Sequence, residues 1–326
     1  MNEPMKPMQP FRTYSYEFCK NVLSFFGFPF TVFDFFVLTL ERTTMHGIEL
    51  LQQNNIQPSI IMVLTQYALD YPDEIWQFFV AHRLTRLAFN VEEIDGVHKQ
   101  SSLAADGTYT RYKRFFTRLL ELQEQCENPP SVRELDRLIN IMGYTDGYPE
   151  RKTGAPENEP LAILSFDYEG NVSTFSPELL TMTHPDYGNF TFASVCDGTL
   201  EDMLSSRKFG DMHAKIRQSV SKCRESCRYF AFCGGGSPSN KLYENNAFDS
   251  TETMLCKLGR QAIVDAVLDY LESKYALPST HNLSPLERIM RLRQRAKCGV
   301  ADEVLSTPIE WPVFDSYDDW DKGGGR

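Results

Sequence analysis

Positive charge is scarce in this chain. Its 326 residues hold 33 Lys and Arg against 44 Asp and Glu, a formal net charge of −11. Contacts to a phosphate backbone need a basic face, so the expectation is that no nucleic acid is a partner. Several catalytic signatures are missing as well. The six histidines are isolated from one another and none stands in H-E-x-x-H. No G-x-S-x-G occurs, and no Lys-Ser/Thr follows the glycines 234–236 at phosphate-loop spacing. The first ten residues carry three Met, three Pro and one Lys without an apolar core, which does not resemble a secretory signal. An unbroken apolar run is also lacking: Pro29 and Asp34 interrupt residues 21–40. That stretch therefore reads as a core segment, and no membrane partner is expected.

Cysteine is plentiful, with eight in the chain. Without a secretory signal they place the protein in a reducing, cytoplasmic compartment as metal ligands or free thiols. Four of them, Cys223, Cys227, Cys233 and Cys256, form C-x3-C-x5-C-x22-C beside a run of glycines. Four soft thiolates next to small residues suit a metal or an iron–sulfur cluster. The spacing fits structural zinc equally well. Cys19, Cys126 and Cys298 are scattered and read as ordinary thiols.

The hydrophobic pattern predicts an α/β arrangement. MHGIELLQQNN reads as a helix, and SIIMVLT (59–65) as a strand buried on both faces. A helix opened by Pro72 follows, then the strand RLAFNV (86–91). Thr65, Gln66, Asn90, Glu92, Glu93 and Asp95 lie just past the strand ends and read as loop-solvating polar residues. Two amphipathic helices are expected over 107–127 and 131–142, the first with Tyr109, Tyr112, Phe116, Leu119, Leu120 and Leu122 near one apolar face. Beyond a Gly/Pro-rich boundary at 143–160 come a hairpin around Glu169-Gly170, helices at 199–206 and 211–221, and the cysteine loop. A long helix over about 250–275, capped by Asp249 with Glu252 at its third position, would place Cys256 where the helix dipole favours a thiolate.

The stretch CRYFAFCGGGSPSNKLYENNAFDSTETMLC resembles the C-terminal module of radical SAM/SPASM proteins. Within that group it is most similar to the maturases of glycine-rich-repeat peptides, the GRRM type. The resemblance rests on the GGGSP turn, Asn240-Lys241, Glu244-Asn245, Phe248 and Thr251-Glu252-Thr253 leading into Cys256, and it spans about 45–275. It implies the C-terminal part of a radical SAM partial (β/α) barrel followed by an α+β SPASM iron–sulfur module. It also implies an auxiliary [4Fe–4S] cluster on Cys223, Cys227, Cys233 and Cys256, S-adenosylmethionine as the family's cosubstrate, and a small ribosomally made precursor peptide as substrate.

Three features depart from the family. Ser237 stands where a further cysteine is usual. The cysteine usual after the hairpin is missing, and Cys196 is the only candidate near it. No C-x3-C-x2-C, the motif that holds the SAM-binding cluster, occurs anywhere. The expected organisation is a non-native or disordered segment over 1–44, left by truncation or frame-shift, then a barrel remnant over 45–142 and a linker over 143–160. The iron–sulfur module covers 161–275, and a helix with a flexible tail covers 276–326. The lost strands would leave an unpaired sheet edge. The implied function is iron–sulfur binding without autonomous catalysis. A zinc-binding or peptide-binding module is the alternative. No catalytic residue is assigned, and whether the chain is an enzyme stays open at this point.

Overall fold

The structure is a computed structural model. It describes residues 30–143, 155–180, 182–196, 198–278 and 280–297. Cys19, Cys298, the tail from 299 and most of the 143–160 boundary lie outside the described residues, as do residues 1–29. The chain divides into two compact units, Met1–Ser59 and Ile60–Arg326.

In the first unit a helix, α1 (Phe30–Gln53), begins well before Met45 and takes in the end of the apolar stretch. It stops at Asn55, which adopts the left-handed conformation (φ 59°) that Asn tolerates. Among the described residues, no helix is long and apolar enough to cross a membrane.

The second unit opens on a three-stranded sheet in the order β1-β2-β3, with β1 (Ser59–Leu64), β2 (Arg86–Val91) and β3 (Ser131–Val132). Strand β2 pairs in parallel with β3, Arg86 opposite Ser131 and Leu87 opposite Val132. The helix expected from 131 therefore starts two residues later, as α4 (Arg133–Gly143). Helix α2 (Pro72–Ala81) begins on its proline, as expected. Strand β1 is not buried on both faces: Ile61 is 58% and Val63 52% exposed. It is an outer strand of its sheet, and only alternate residues turn inward.

Helix α3 (Thr108–Gln125) lays Tyr112, Phe115, Phe116 and Leu119 into the core against Phe89 of β2. The rings of Phe89, Phe115 and Phe116 meet edge to face, the arrangement their quadrupoles favour.

A second core gathers Phe175, Phe190, Met203, Phe209, Ile216, Leu242 and Phe248. It lies under an antiparallel sheet of β4 (Leu164–Phe166), β5 (Asn171–Thr174) and, after the small ribbon β6 (Thr183–His184) and β7 (Gly188–Asn189), β8 (Ala193–Ser194). The expected hairpin is present. Gly170 makes its turn at φ +82°, and the Asp167 carboxylate accepts the N–H groups of Glu169 and Asn171, both at 2.9 Å.

Helix α5 (Leu200–Ser205) starts with a capping box between Thr199 and Asp202. Helix α6 (Arg207–Ser226), capped by Ser206, is longer than the expected 211–221. Short helices α7 (Phe230–Cys233), α8 (Pro238–Asn245) and α9 (Met254–Cys256) follow. A π-helical segment, Lys257–Ala262, joins α9 to α10 (Ile263–Lys274). Helix α10 packs back along α3, where Tyr109 donates to Asp265 (2.7 Å) and Lys274 to Glu124 (2.6 Å). Helix α11 (Pro285–Lys297) is clamped on it by Arg288, only 1% exposed, which bonds the carboxylates of Asp269 and Glu272.

Candidate metal centre

The four cysteines sit on one short circuit of chain. Cys223 lies in the last turn of α6 rather than on a loop, because Ser206 caps the helix and no proline interrupts it before that point. Cys227 closes the helix, its N–H bonded to Cys223 O at 2.9 Å. Cys233 ends α7, and Cys256 ends α9. Cys223 and Cys233 are buried, Cys227 and Cys256 half-buried. They are close enough to disturb one another's ionisation. Burial pushes the Cys223 thiol up, and the sulfurs of Cys233 and Cys227 push it further. Burial also raises Cys227, with Cys233 adding to it.

Cys256 corrects an expectation. The helix dipole was to favour its thiolate, yet burial and the neighbouring Cys233 raise the thiol to about 12. The helix also begins later than expected, at Met254 and not at about 250. Its cap is Thr253, whose Oγ1 accepts the Cys256 N–H at 3.1 Å, and not Asp249. Glu244 accepts the N–H groups of Met254 and Leu255, so two further orphan donors are satisfied from α8. Asn245 donates to Glu252 O at 2.9 Å. Both residues thus tie the cysteine segment to its helix. Glu252 pairs with Lys257 (2.9 Å) and accepts from Gln261 (3.1 Å), and the same Gln261 amide reaches Cys256 Sγ at 3.4 Å.

Between α7 and α8 the glycines 234, 235 and 236 have φ of +65°, +108° and +72°. Side-chain-bearing residues rarely adopt such a run. At Gly235 a Cβ would also stand 3.1 Å from Val220 Cγ2. This turn folds its carbonyls inward. Asn158 donates to Gly236 O at 2.8 Å, while Lys241 of α8 donates to Gly235 O and to Ser219 Oγ. Lys241 is 2% exposed and, among the described residues, forms no ion pair. Burial pushes its ammonium down, and the sulfurs of Cys223, Cys233 and Cys256 pull it back. The sequence places Lys241 among family-like residues but does not reveal it as the cation facing three sulfurs.

Other candidates fall elsewhere. Cys196 is exposed just after β8, its Sγ 3.8 Å from where a Cβ on Gly170 of the hairpin turn would be. Ser237 Oγ bonds Ser239 Oγ (2.9 Å) and Ser176 Oγ (3.3 Å). The residues past the ends of β1 and β2 divide. Glu92 ties down Ser101 and Ser102, and Asn90 accepts from Arg133. Glu93 accepts from Asn240 of α8 at 2.7 Å and is raised by burial. Asp95 is raised to about 7 by burial, with Glu178 and Glu93 adding, and its Oδ1 is buried without a partner. These two carboxylates are more than loop-solvating groups, which their polar sequence context conceals.

Among the described residues, no three or more His, Cys, Asp or Glu side chains are arranged to hold a metal ion. Zinc needs its sulfurs within about 2.3 Å of one point. An iron–sulfur core stands between its ligands and spreads them wider. Four mutually sensed thiols, a glycine cradle and a buried cation that lacks a counter-charge fit such an anionic group chemically.

The mixed α/β arrangement has a counterpart among solved structures. That of anSMEcpe with bound AdoMet aligns with a TM-score of 0.50 and 15% identity over 70% of this chain and 58% of that one. The chain shares its fold with anSMEcpe. A further structure of anSMEcpe, with AdoMet and a bound peptide, has a TM-score of 0.47 at 13% identity, over 76% of this chain and 61% of that one. An uncharacterized protein of Synechocystis sp., sll1766, is 42% identical over 234 residues, 72% of this chain. The chain spans 58% of the length of that relative. No protein-family model matches the chain.

Proposed function

We propose that the chain belongs to a radical SAM/SPASM-type protein of the glycine-rich-repeat maturase kind. In this reading Cys223, Cys227, Cys233 and Cys256 hold an auxiliary [4Fe–4S] cluster. The observation that carries it is that four thiols disturb one another's ionisation and three of them, Cys223, Cys233 and Cys256, act on the buried Lys241, which has no carboxylate partner among the described residues. Residues 45–142 are then the barrel portion and 161–275 the SPASM-like module.

When bound, the cluster supplies one-electron transfer or a charged contact for substrate. The chain's own residues supply its setting. Lys241 offsets the negative charge of the thiolates, Gln261 donates to Cys256, and the glycine turn brings backbone close to the sulfurs. S-adenosylmethionine enters through the family resemblance and through the AdoMet bound in anSMEcpe. The 326 residues contain no C-x3-C-x2-C, so this segment does not cleave it unaided. The substrate is a ribosomally made precursor peptide.

The test is anaerobic purification with assay of iron, acid-labile sulfide and zinc. Iron and sulfide in equal amounts, with a broad thiolate-to-iron absorption, are expected. Stoichiometric zinc without sulfide would sink the reading.

A further inference from the structure

A cavity of about 170 Å³ lies where the start of α4 meets the π-helical segment and the start of α10. Its lining includes Arg133, Arg137 and Arg260, with Glu134 as the sole carboxylate in it. Leu138, Phe232, Ile263 and Val264 are its apolar lining. Three guanidiniums around one small cavity are unexpected in a chain of net charge −11.

Glu134 is already engaged by two neighbours. Its Oε2 accepts the Phe89 N–H at 3.1 Å, and its Oε1 accepts two N–H bonds from Arg133. Arg133 is further engaged with Asn90 at 2.7 Å. Arg260 donates one N–H to the neighbouring Gly259 carbonyl at 3.0 Å; its charge acts on the Glu93 carboxylate, but among the described residues it forms no ion pair within 4 Å. Its place is fixed by tight packing: a Cβ on Gly259 would stand 3.2 Å from both Leu255 Cδ1 and Val91 Cγ2. A planar guanidinium with free donors beside an apolar wall matches a carboxylate that carries a small apolar body. The volume is adequate, since a cavity of about 150 Å³ takes a benzene ring.

We propose that this cavity binds a small organic acid, its carboxylate on Arg260 and its apolar part against Phe232, Ile263 and Val264. The proposal is independent of the iron–sulfur reading.

Calorimetric titration of the full chain with benzoate, benzamide and inorganic phosphate tests it. Benzoate is expected to saturate one site, and benzamide, of the same shape without the charge, to bind at least about ten-fold more weakly. Arg260→Gln is expected to weaken benzoate by about ten-fold while leaving the circular dichroism unchanged. Absence of benzoate binding, equal binding of benzamide, or phosphate binding as tight as benzoate would each overturn it. The wild-type comparison of the three probes decides the matter even if the variant fails to fold.

Discussion

Lys241 donates its ammonium to the carbonyl of Gly235, two residues after Cys233, in the interior of the protein. The bond joins α8 to the glycine turn and sets a positive charge among three sulfurs. Lys241→Met removes the charge and keeps the bulk. Without iron, the variant is expected to lose about 1–3 kcal/mol, because Gly235 O loses a buried donor. In the iron-loaded protein the cluster potential should move to more negative values. Urea unfolding and an EPR-monitored redox titration measure the two effects. An unmoved potential would separate Lys241 from the cluster.

Loss of one ligand should remove the inorganic group and loosen the module around it, since ligand binding and folding are coupled. Cys227→Ala is expected to lose most bound iron, whereas Cys126→Ala, outside the quartet, should retain it. Iron per chain and hydrogen exchange over 223–256 report this. Equal iron in the two variants would count against the assignment.

The Asp95 carboxyl titrates near 7 in the folded chain, above its unfolded value of about 3.9. The folded state therefore binds more protons than the unfolded state between about pH 4 and 7, and stability falls as pH rises through that window. Discounted for partial exposure, the loss is about 1–2 kcal/mol. Glu93, also raised, adds in the same direction. Asp95→Asn should flatten the slope in urea unfolding followed from pH 4.5 to 8. A slope unchanged in the variant would assign the effect to other groups.

Gly235→Ala combines a φ of +108° with a Cβ 3.1 Å from Val220. A loss of about 2–4 kcal/mol is expected. Gly107→Ala at φ +77°, with nothing within 4 Å, should lose only about 1–2 kcal/mol. Chemical denaturation of the pair measures the difference, which isolates the cost of the crowded turn.

The parts legible in advance were those with local causes. Pro72 starts its helix, Asp167 and Gly170 make the hairpin turn, and the stripe on α3 faces the core. Local rules failed where distant chain competes. The start of α9 differs from the expected one because Thr253 and Glu244, the latter from another helix, cap it in place of Asp249. Strand β3 was missed because two residues carry no periodicity and only its pairing with β2 defines it.

By itself the sequence determined the four thiols, their spacing and the glycines that let the chain turn between them. Only the tertiary structure decided what surrounds those thiols. It set Cys256 where burial and Cys233 push its thiol up, and it placed Lys241 where three sulfurs act on it. It also brought Arg260 beside Arg133, more than a hundred residues earlier in the chain. Charge and burial act through space and sum over every neighbour, so no local window of sequence contains them.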